Sequence, residues 1–123
     1  MIGTLTPEFG RLKNLQILNL DDSSLSGTIP SEIGNLSRLK ELKLYENLFE
    51  GTIPSEIGNC EELTYFNLTN NKVGGSLPTE LFDCNKLQLV DFIDNEFTGT
   101  IPTEIQKLKD LVYCALYFFY MFT

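Results

Sequence analysis

Apolar residues recur along this chain with a period of 24. Leu12, Leu36, Cys60, Cys84 and Leu108 share one position of the period, and Leu15, Leu39, Leu63, Leu87 and Leu111 share the next. Leu18, Leu42, Phe66, Val90 and Cys114 follow, then Leu20, Leu44, Leu68, Phe92 and Leu116. The segment GTIPSEIGN occurs in identical form at 27–35 and 51–59. A fixed period of this length signals a solenoid: each unit is too small to bury its own apolar face and is stabilised by stacking on its neighbours. Within the unit, L-x-L alternates apolar and polar residues, which is the period of a strand. The pattern predicts short parallel strands over 17–20, 41–44, 65–68, 89–92 and 113–116, each with two side chains in the core and their neighbours in solvent.

Polar residues at fixed positions complete the unit. Ser23, Asn47, Asn71 and Asn95 fall where the chain turns away from the strand. A buried asparagine offers two donors and an acceptor to backbone groups that the strands leave unpaired, so stacked turns predict a hydrogen-bonded ladder at Asn47, Asn71 and Asn95. Ser23, with a single donor, is its weaker member. Gly27, Gly51, Gly75 and Gly99 suit a bend with an unusual φ or a close backbone approach. Pro30, Pro54, Pro78 and Pro102 fix φ and lack an N–H, which places them at an edge or the start of a turn. The pairs Ser31-Glu32, Ser55-Glu56, Thr79-Glu80 and Thr103-Glu104 predict the N-terminus of a short helical turn capped by the hydroxyl. A strand side and a helical-turn side together imply an arc.

The Gly-x-Ile-Pro element gives the pattern a familiar form. Leu25-Ser-Gly-Thr-Ile-Pro30, Phe49-Glu-Gly-Thr-Ile-Pro54, Val73-Gly-Gly-Ser-Leu-Pro78 and Phe97-Thr-Gly-Thr-Ile-Pro102 resemble the insert of plant-type leucine-rich repeats. The resemblance covers about residues 3 to 116. It implies a leucine-rich-repeat solenoid: an α/β repeat in a right-handed arc, with a parallel β-sheet on the concave face and short helical turns on the convex side. It also implies a second short strand on one flank and a twisted superhelix. Such modules form the ectodomains of receptor-like kinases and receptor-like proteins, and also secreted inhibitors of cell-wall-degrading enzymes.

Several features depart from a whole protein of that kind. Gly3-Thr-Leu5-Thr-Pro-Glu8-Phe9-Gly10 matches the second half of a unit, with Thr6 where proline is expected. Met1 is not followed by the basic region and apolar run of a secretory leader, and neither a membrane span nor a kinase domain is present. The expectation is therefore a fragment: an array of about four and a half repeats over 1–116 and an apolar, off-pattern tail over 117–123. Leu111 to Phe122 is an unbroken apolar run of 12 residues, against about 18 for a membrane helix. The tail reads as a spurious end of a truncated array, as an improvised cap over the last repeat, or as an oligomer or membrane-surface contact.

Composition narrows the function classes. With 17 acidic and 9 basic residues the net charge is −8, which argues against nucleic-acid binding. Glu8, Glu32, Glu56, Glu80 and Glu104 form one column, expected to be solvated because stacked like charges repel. Without histidine there is no Ser-His or Cys-His nucleophile, and without a close cysteine pair there is no zinc motif. Asp91 and Asp94 lack the rest of a calcium loop. No catalytic residue, cofactor or metal is therefore expected. Cys60, Cys84 and Cys114 read as buried thiols acting as small apolar residues. Asn35-Leu-Ser37 and Asn67-Leu-Thr69 are N-glycosylation sequons. A glycan on Asn67 would block part of the exposed strand face.

That face is where recognition is expected. One of its columns holds Ile17, Glu41, Tyr65, Leu89 and Tyr113, and the next holds Asn19, Lys43, Asn67, Asp91 and Ala115. A third holds Asp21, Tyr45, Thr69, Ile93 and Tyr117, and a fourth Asp22, Glu46, Asn70, Asp94 and Phe118. These columns vary while the apolar ones repeat, so packing constrains the core and leaves the face able to specialise. The expected contacts are Tyr45 and Tyr65 as aromatic anchors and Leu89 and Ile93 as apolar ones. Lys43, Asn67 and Thr69 supply polar contacts, and Glu41, Glu46, Asp91 and Asp94 favour a basic partner. The resemblance implies a non-catalytic module binding a peptide or protein, with a co-receptor of the same repeat class as a further partner. The membrane would enter only through other parts of a longer protein, on its extracellular side or in the cell wall. An enzyme inhibitor or a non-functional repeat remnant are the alternatives.

Overall fold

The structure is a computed structural model and describes residues 3–116. Along the chain run β1 (Gly3–Thr4), η1 (Pro7–Arg11), β2 (Ile17–Asn19), β3 (Leu25–Thr28), η2 (Ser31–Asn35), β4 (Glu41–Lys43), β5 (Leu48–Glu50) and η3 (Ser55–Asn59). They continue with β6 (Tyr65–Asn67), β7 (Gly74–Gly75), η4 (Thr79–Asp83), β8 (Leu89–Asp91), β9 (Glu96–Phe97), η5 (Thr103–Lys107) and β10 (Tyr113–Ala115). Each η element is a single 3-10 turn of five residues. The main sheet is parallel, in the order β10-β8-β6-β4-β2. Its strands pair in step with the sequence repeat, Ile17 opposite Glu41, Glu41 opposite Tyr65 and Tyr65 opposite Leu89.

The strands are one residue shorter than the alternating pattern predicts, and the asparagine ladder explains why. Leu44 still donates its N–H to Asn67 O at 2.9 Å. Its carbonyl, however, accepts from Asn71 Nδ2 at 2.8 Å rather than from the next strand. The same Nδ2 donates to Leu68 O at 3.1 Å, and Oδ1 accepts from Phe49 N–H at 3.0 Å. Asn47 and Asn95 repeat the arrangement one turn to either side, and all three residues are buried. One amide thus closes three backbone groups on two successive turns. Ser23 does not join the ladder: it is exposed, and its hydroxyl donates to Asp21 O at 3.2 Å.

The Gly-x-Ile-Pro element builds the second flank. Strands β1-β3-β5 and β7-β9 form two further parallel sheets, offset by 22 residues per turn, with Ser26 opposite Leu48. Between β5 and β7 the backbones stay joined by Gly74 N–H to Gly51 O at 2.8 Å. Gly27, Gly51, Gly75 and Gly99 all have φ between 70° and 83°, a region open to glycine at no steric cost. Each proline then occupies the cap position before a 3-10 turn, Pro30 with φ −67°. The following hydroxyl therefore sits one residue too far along to cap. Contrary to the sequence expectation, Ser31 makes no capping bond and its Oγ instead lies 3.4 Å from Glu32 Oε1. The glutamate column is solvated only at its start: Glu8 is exposed as expected, whereas Glu32, Glu56, Glu80 and Glu104 are half-buried, because each of their 3-10 turns lies against the preceding one.

The core is continuous from Leu18 to Leu108. Leu39, Leu42, Leu63, Phe66, Leu87 and Phe92 are buried in it, and Phe66 meets Phe92 edge-on with centroids 4.9 Å apart. On the turn side, close packing depends on glycines whose role the repeat alone does not reveal. A Cβ on Gly34 would lie 2.7 Å from Glu56 O, and one on Gly58 would lie 2.8 Å from Glu80 O. The same position in the next unit holds Phe82, which is buried, and η5 packs less extensively on η4 than the other turns pack on each other.

Two substitutions test this account. Asn71→Leu leaves Phe49 N–H, Leu44 O and Leu68 O without their amide and should lower unfolding free energy by about 1–3 kcal/mol; an unchanged urea midpoint would contradict the ladder. Gly34→Ala should cost about 1–3 kcal/mol through overpacking against a backbone carbonyl, read from the same titration.

Candidate ligand-binding face

The exposed side of the main sheet is built by the residues flanking each buried strand centre. Glu41, Lys43, Tyr65, Asn67, Leu89 and Asp91 are half-buried on neighbouring strands and form one contiguous patch. Lys43 Nζ lies 3.4 Å from Glu41 Oε1 and 5.5 Å from the centroid of the Tyr65 ring. The patch's one cation is therefore engaged within it. A shallow depression of about 360 Å³ lies between Tyr65 and Tyr113, with Leu89 between them and Glu41 at one end. Thr64, Gln88 and Val112 complete its lining. Sequence reasoning missed these three, although they form a varied column one position before each strand.

The remaining expected contacts, Tyr45, Glu46, Thr69, Ile93 and Asp94, lie on a rim where each strand turns away. Here the structure adds a constraint. Asp22, Glu46, Asn70 and Asp94 all have φ between 50° and 59°. The N–H groups of Asp22, Glu46 and Asn70 are turned toward the next repeat, as in Glu46 N–H to Thr69 O at 2.9 Å. Aspartate and asparagine tolerate this left-handed conformation better than other non-glycine residues, so Asp94 has a backbone role beside any contact it makes. Acids crowd this rim. Glu46 foremost, then partial burial and the charges of Asp22 and Asp21, push the Tyr45 phenol above its ordinary pKa.

The second column is likewise committed in part to the fold. Asn67 Oδ1 accepts from Thr69 N–H at 2.9 Å, Asn19 Oδ1 from Asp21 N–H at 3.1 Å and Asp91 Oδ1 from Ile93 N–H at 3.3 Å. Lys43 has no oxygen to offer Tyr45 N–H. Asp21 Oδ1, from the preceding repeat, accepts that bond instead at 2.8 Å. Asn35 lies apart from the face, exposed at the end of η2. Among the described residues no group of three or more His, Cys, Asp or Glu side chains could hold a metal ion. Nor is any described helix long and apolar enough to cross a membrane. Tyr117, Phe118 and the rest of the tail expected over 117–123 fall outside the described residues.

Comparison with known families decides the class. The leucine rich repeat models match residues 13–73 and 86–108. The chain belongs to the leucine-rich-repeat family. Its repeats are of the plant receptor type. Over 94% of its length it is 41% identical to a plant peptide hormone receptor, RGFR1 in complex with RGF2, with a TM-score of 0.91. The Arabidopsis receptor kinase HAESA, in complex with the peptide hormone IDA and the co-receptor SERK1, is 38% identical over 95% of the chain, with a TM-score of 0.89. The ectodomain of the receptor kinase SOBIR1 from Arabidopsis thaliana is 30% identical over 93%, with a TM-score of 0.85. The chain spans 18%, 20% and 62% of these three proteins respectively. None of the curated proteins gives a significant match.

The cysteines of this leucine-rich-repeat chain divide into two kinds. Cys60 and Cys84 are fully buried, and their thiols donate to Ile33 O and Ile57 O, each at 3.2 Å. Burial pushes Cys60 up to about 11 and, reinforced by the neighbouring Cys60, Asp83 and Glu61 charges, Cys84 up to about 12. Cys114, expected in the core, is exposed on the terminal strand β10, because no described repeat packs on its far side. Under native conditions a thiol reagent should label Cys114 alone, with Cys60 and Cys84 reacting only on unfolding. Both buried thiols stay protonated in the fold, whereas an unfolded thiol ionises from its ordinary value of 9. Their contribution is therefore complete below pH 9 and lost as pH rises toward 11–12. The double variant Cys60→Val, Cys84→Val should show a flatter alkaline fall in melting temperature; an unchanged slope would contradict the assignment.

Proposed function

We propose that this chain is a non-catalytic recognition segment of a plant receptor ectodomain, binding a peptide or protein along the exposed face of its main sheet. One observation carries the reading. A contiguous patch of side chains that differ from repeat to repeat sits on a core that hardly changes, and structures of the same repeat type contain peptide hormones, as RGFR1 does RGF2 and HAESA does IDA. An open sheet face supplies extended contact area and varied side chains, which suits recognition of an extended ligand. Tyr65, Leu89 and Tyr113 offer rigid apolar area around the depression. Glu41, Asp91 and the acidic rim favour a partner with basic groups. HAESA with its co-receptor SERK1 also supports a second partner of the same repeat class. The segment would then act on the extracellular side of a membrane, held there by other parts of a longer protein.

The test is binding to a panel of synthetic secreted-type peptides, with affinities from calorimetry. A true ligand should lose at least about tenfold, or 1.4 kcal/mol, with Leu89→Asp and with Tyr65→Ala. Arg38→Ala, on the turn side, should leave affinity unchanged. Binding should also weaken as salt is raised. A ligand indifferent to both face variants would place recognition elsewhere.

A further inference from the structure

The two sequons fall in contrasting places. Asn35 lies at the end of a 3-10 turn, whereas Asn67 lies in β6, the central strand of the main sheet. Asn67 stands between Lys43 on one side and Asp91 on the other. The equivalent residues Asn19, Lys43, Asp91 and Ala115 carry no sequon, so an attached glycan would be confined to the middle of the face.

We infer that Asn67 is an N-glycosylation site whose glycan shields the centre of the recognition face and divides it in two. The fold accepts the modification without losing a buried hydrogen bond. Asn67 Oδ1 is held by Thr69 N–H at 2.9 Å, which fixes the side chain on the outer face with its nitrogen beside the Tyr65 hydroxyl. Nδ2 makes one long contact, 3.4 Å to the Tyr65 hydroxyl, and its second N–H has no protein acceptor among the described residues. The ladder asparagines are the opposite case: their Nδ2 groups are buried and shared between carbonyls, and Phe49, Val73 and Phe97 stand where a sequon needs a hydroxyl. Leu68, between Asn67 and Thr69, points into the core at 0% exposure, so the two sequon side chains share the outer face.

The donor is a polyprenyl-diphosphate-linked oligosaccharide. Asn67 Nδ2 attacks the anomeric carbon, the C1–O bond to the diphosphate breaks, the lipid diphosphate leaves with the electron pair, and the amide loses one proton. The first sugar is then anchored beside Tyr65 and Lys43. Ligand contact is left to a half around Ile17, Glu41 and Tyr45 and a half around Leu89, Ile93 and Tyr113, where the Tyr65 ring lines the same depression. Removing the glycan would join them. This inference rests on the extracellular reading above, since the transfer takes place in the secretory pathway.

The experiment is expression of the full chain behind a cleavable secretory leader in plant cells. The secreted protein is treated with a peptide-N-glycosidase in heavy-oxygen water and mapped by mass spectrometry. Asn67 should carry the isotope mark. An unmarked Asn67, with or without a mark on Asn35, overturns the assignment. Shielding is read without any ligand, from the rate at which an N-hydroxysuccinimide ester acylates Lys43. That rate should rise several-fold in Asn67→Gln and also in Thr69→Val, which destroys the sequon while keeping Asn67, and should not change in Asn35→Gln. Equal Lys43 rates with and without the Asn67 glycan overturn the shielding. A glycosylated, shielded chain that binds no peptide would sink the recognition reading and leave this one standing.

Discussion

The buried amide that bridges one turn to the next is the constraint on which the rest depends. Asn71 takes the carbonyls of Leu44 and Leu68 and the N–H of Phe49. By claiming Leu44 O it ends the strand after three residues, and by holding Phe49 N–H it starts the second flank at a fixed distance. Sheet length, the width of the face and the direction in which the chain leaves it all follow from that one side chain. An unpaired buried peptide group costs more than a made hydrogen bond contributes, so the position tolerates little substitution where turns lie on both sides. Ser23 marks the contrast: Asn47 already serves the N–H groups of Ser23 and Leu25, and the serine itself is exposed and bonds locally.

The exposed face is less free than its variability suggests. Asn19, Asn67 and Asp91 each spend an oxygen on the backbone two residues ahead. Glu46 and Asp94 occupy left-handed turns. The side chains that bond no backbone group are those of the first column, Glu41, Tyr65 and Leu89, with Tyr45 and Ile93 on the rim. The proposed recognition chemistry would thereby be concentrated toward the start of each strand, where Thr64, Gln88 and Val112 line the depression.

Much of this was legible in the sequence because a strict period turns linear spacing into spatial stacking. The strand centres, the buried asparagines and the four left-handed glycines follow from residue type and position alone. What was not legible depends on neighbours in the next turn. Nothing in the letter at Gly34 says that Glu56 O will lie against it, and Phe82 at the same position shows that the repeat does not mark it as invariant. A left-handed glutamate at residue 46 contradicts its own preference and is imposed by the turn. The hydroxyls of Ser31 and Thr79 looked like caps until the prolines before them took that position. Cys114 shared a column with buried residues, yet a ladder position buries its side chain only when a turn covers it.

The bond from Tyr45 N–H to Asp21 Oδ1 has a consequence for how such an array can change over generations. Lys43 gives up the local acceptor that Asn19, Asn67 and Asp91 provide, and the repeat before it supplies the substitute. The two residues therefore work as a pair although they belong to different repeats. Unequal crossing-over, which duplicates or deletes one 24-residue unit at a time, would separate them and leave a lysine-bearing repeat beside a stranger. Repeats that look interchangeable by sequence are in this place not so, because the repeat that carries Lys43 depends on the one that carries Asp21.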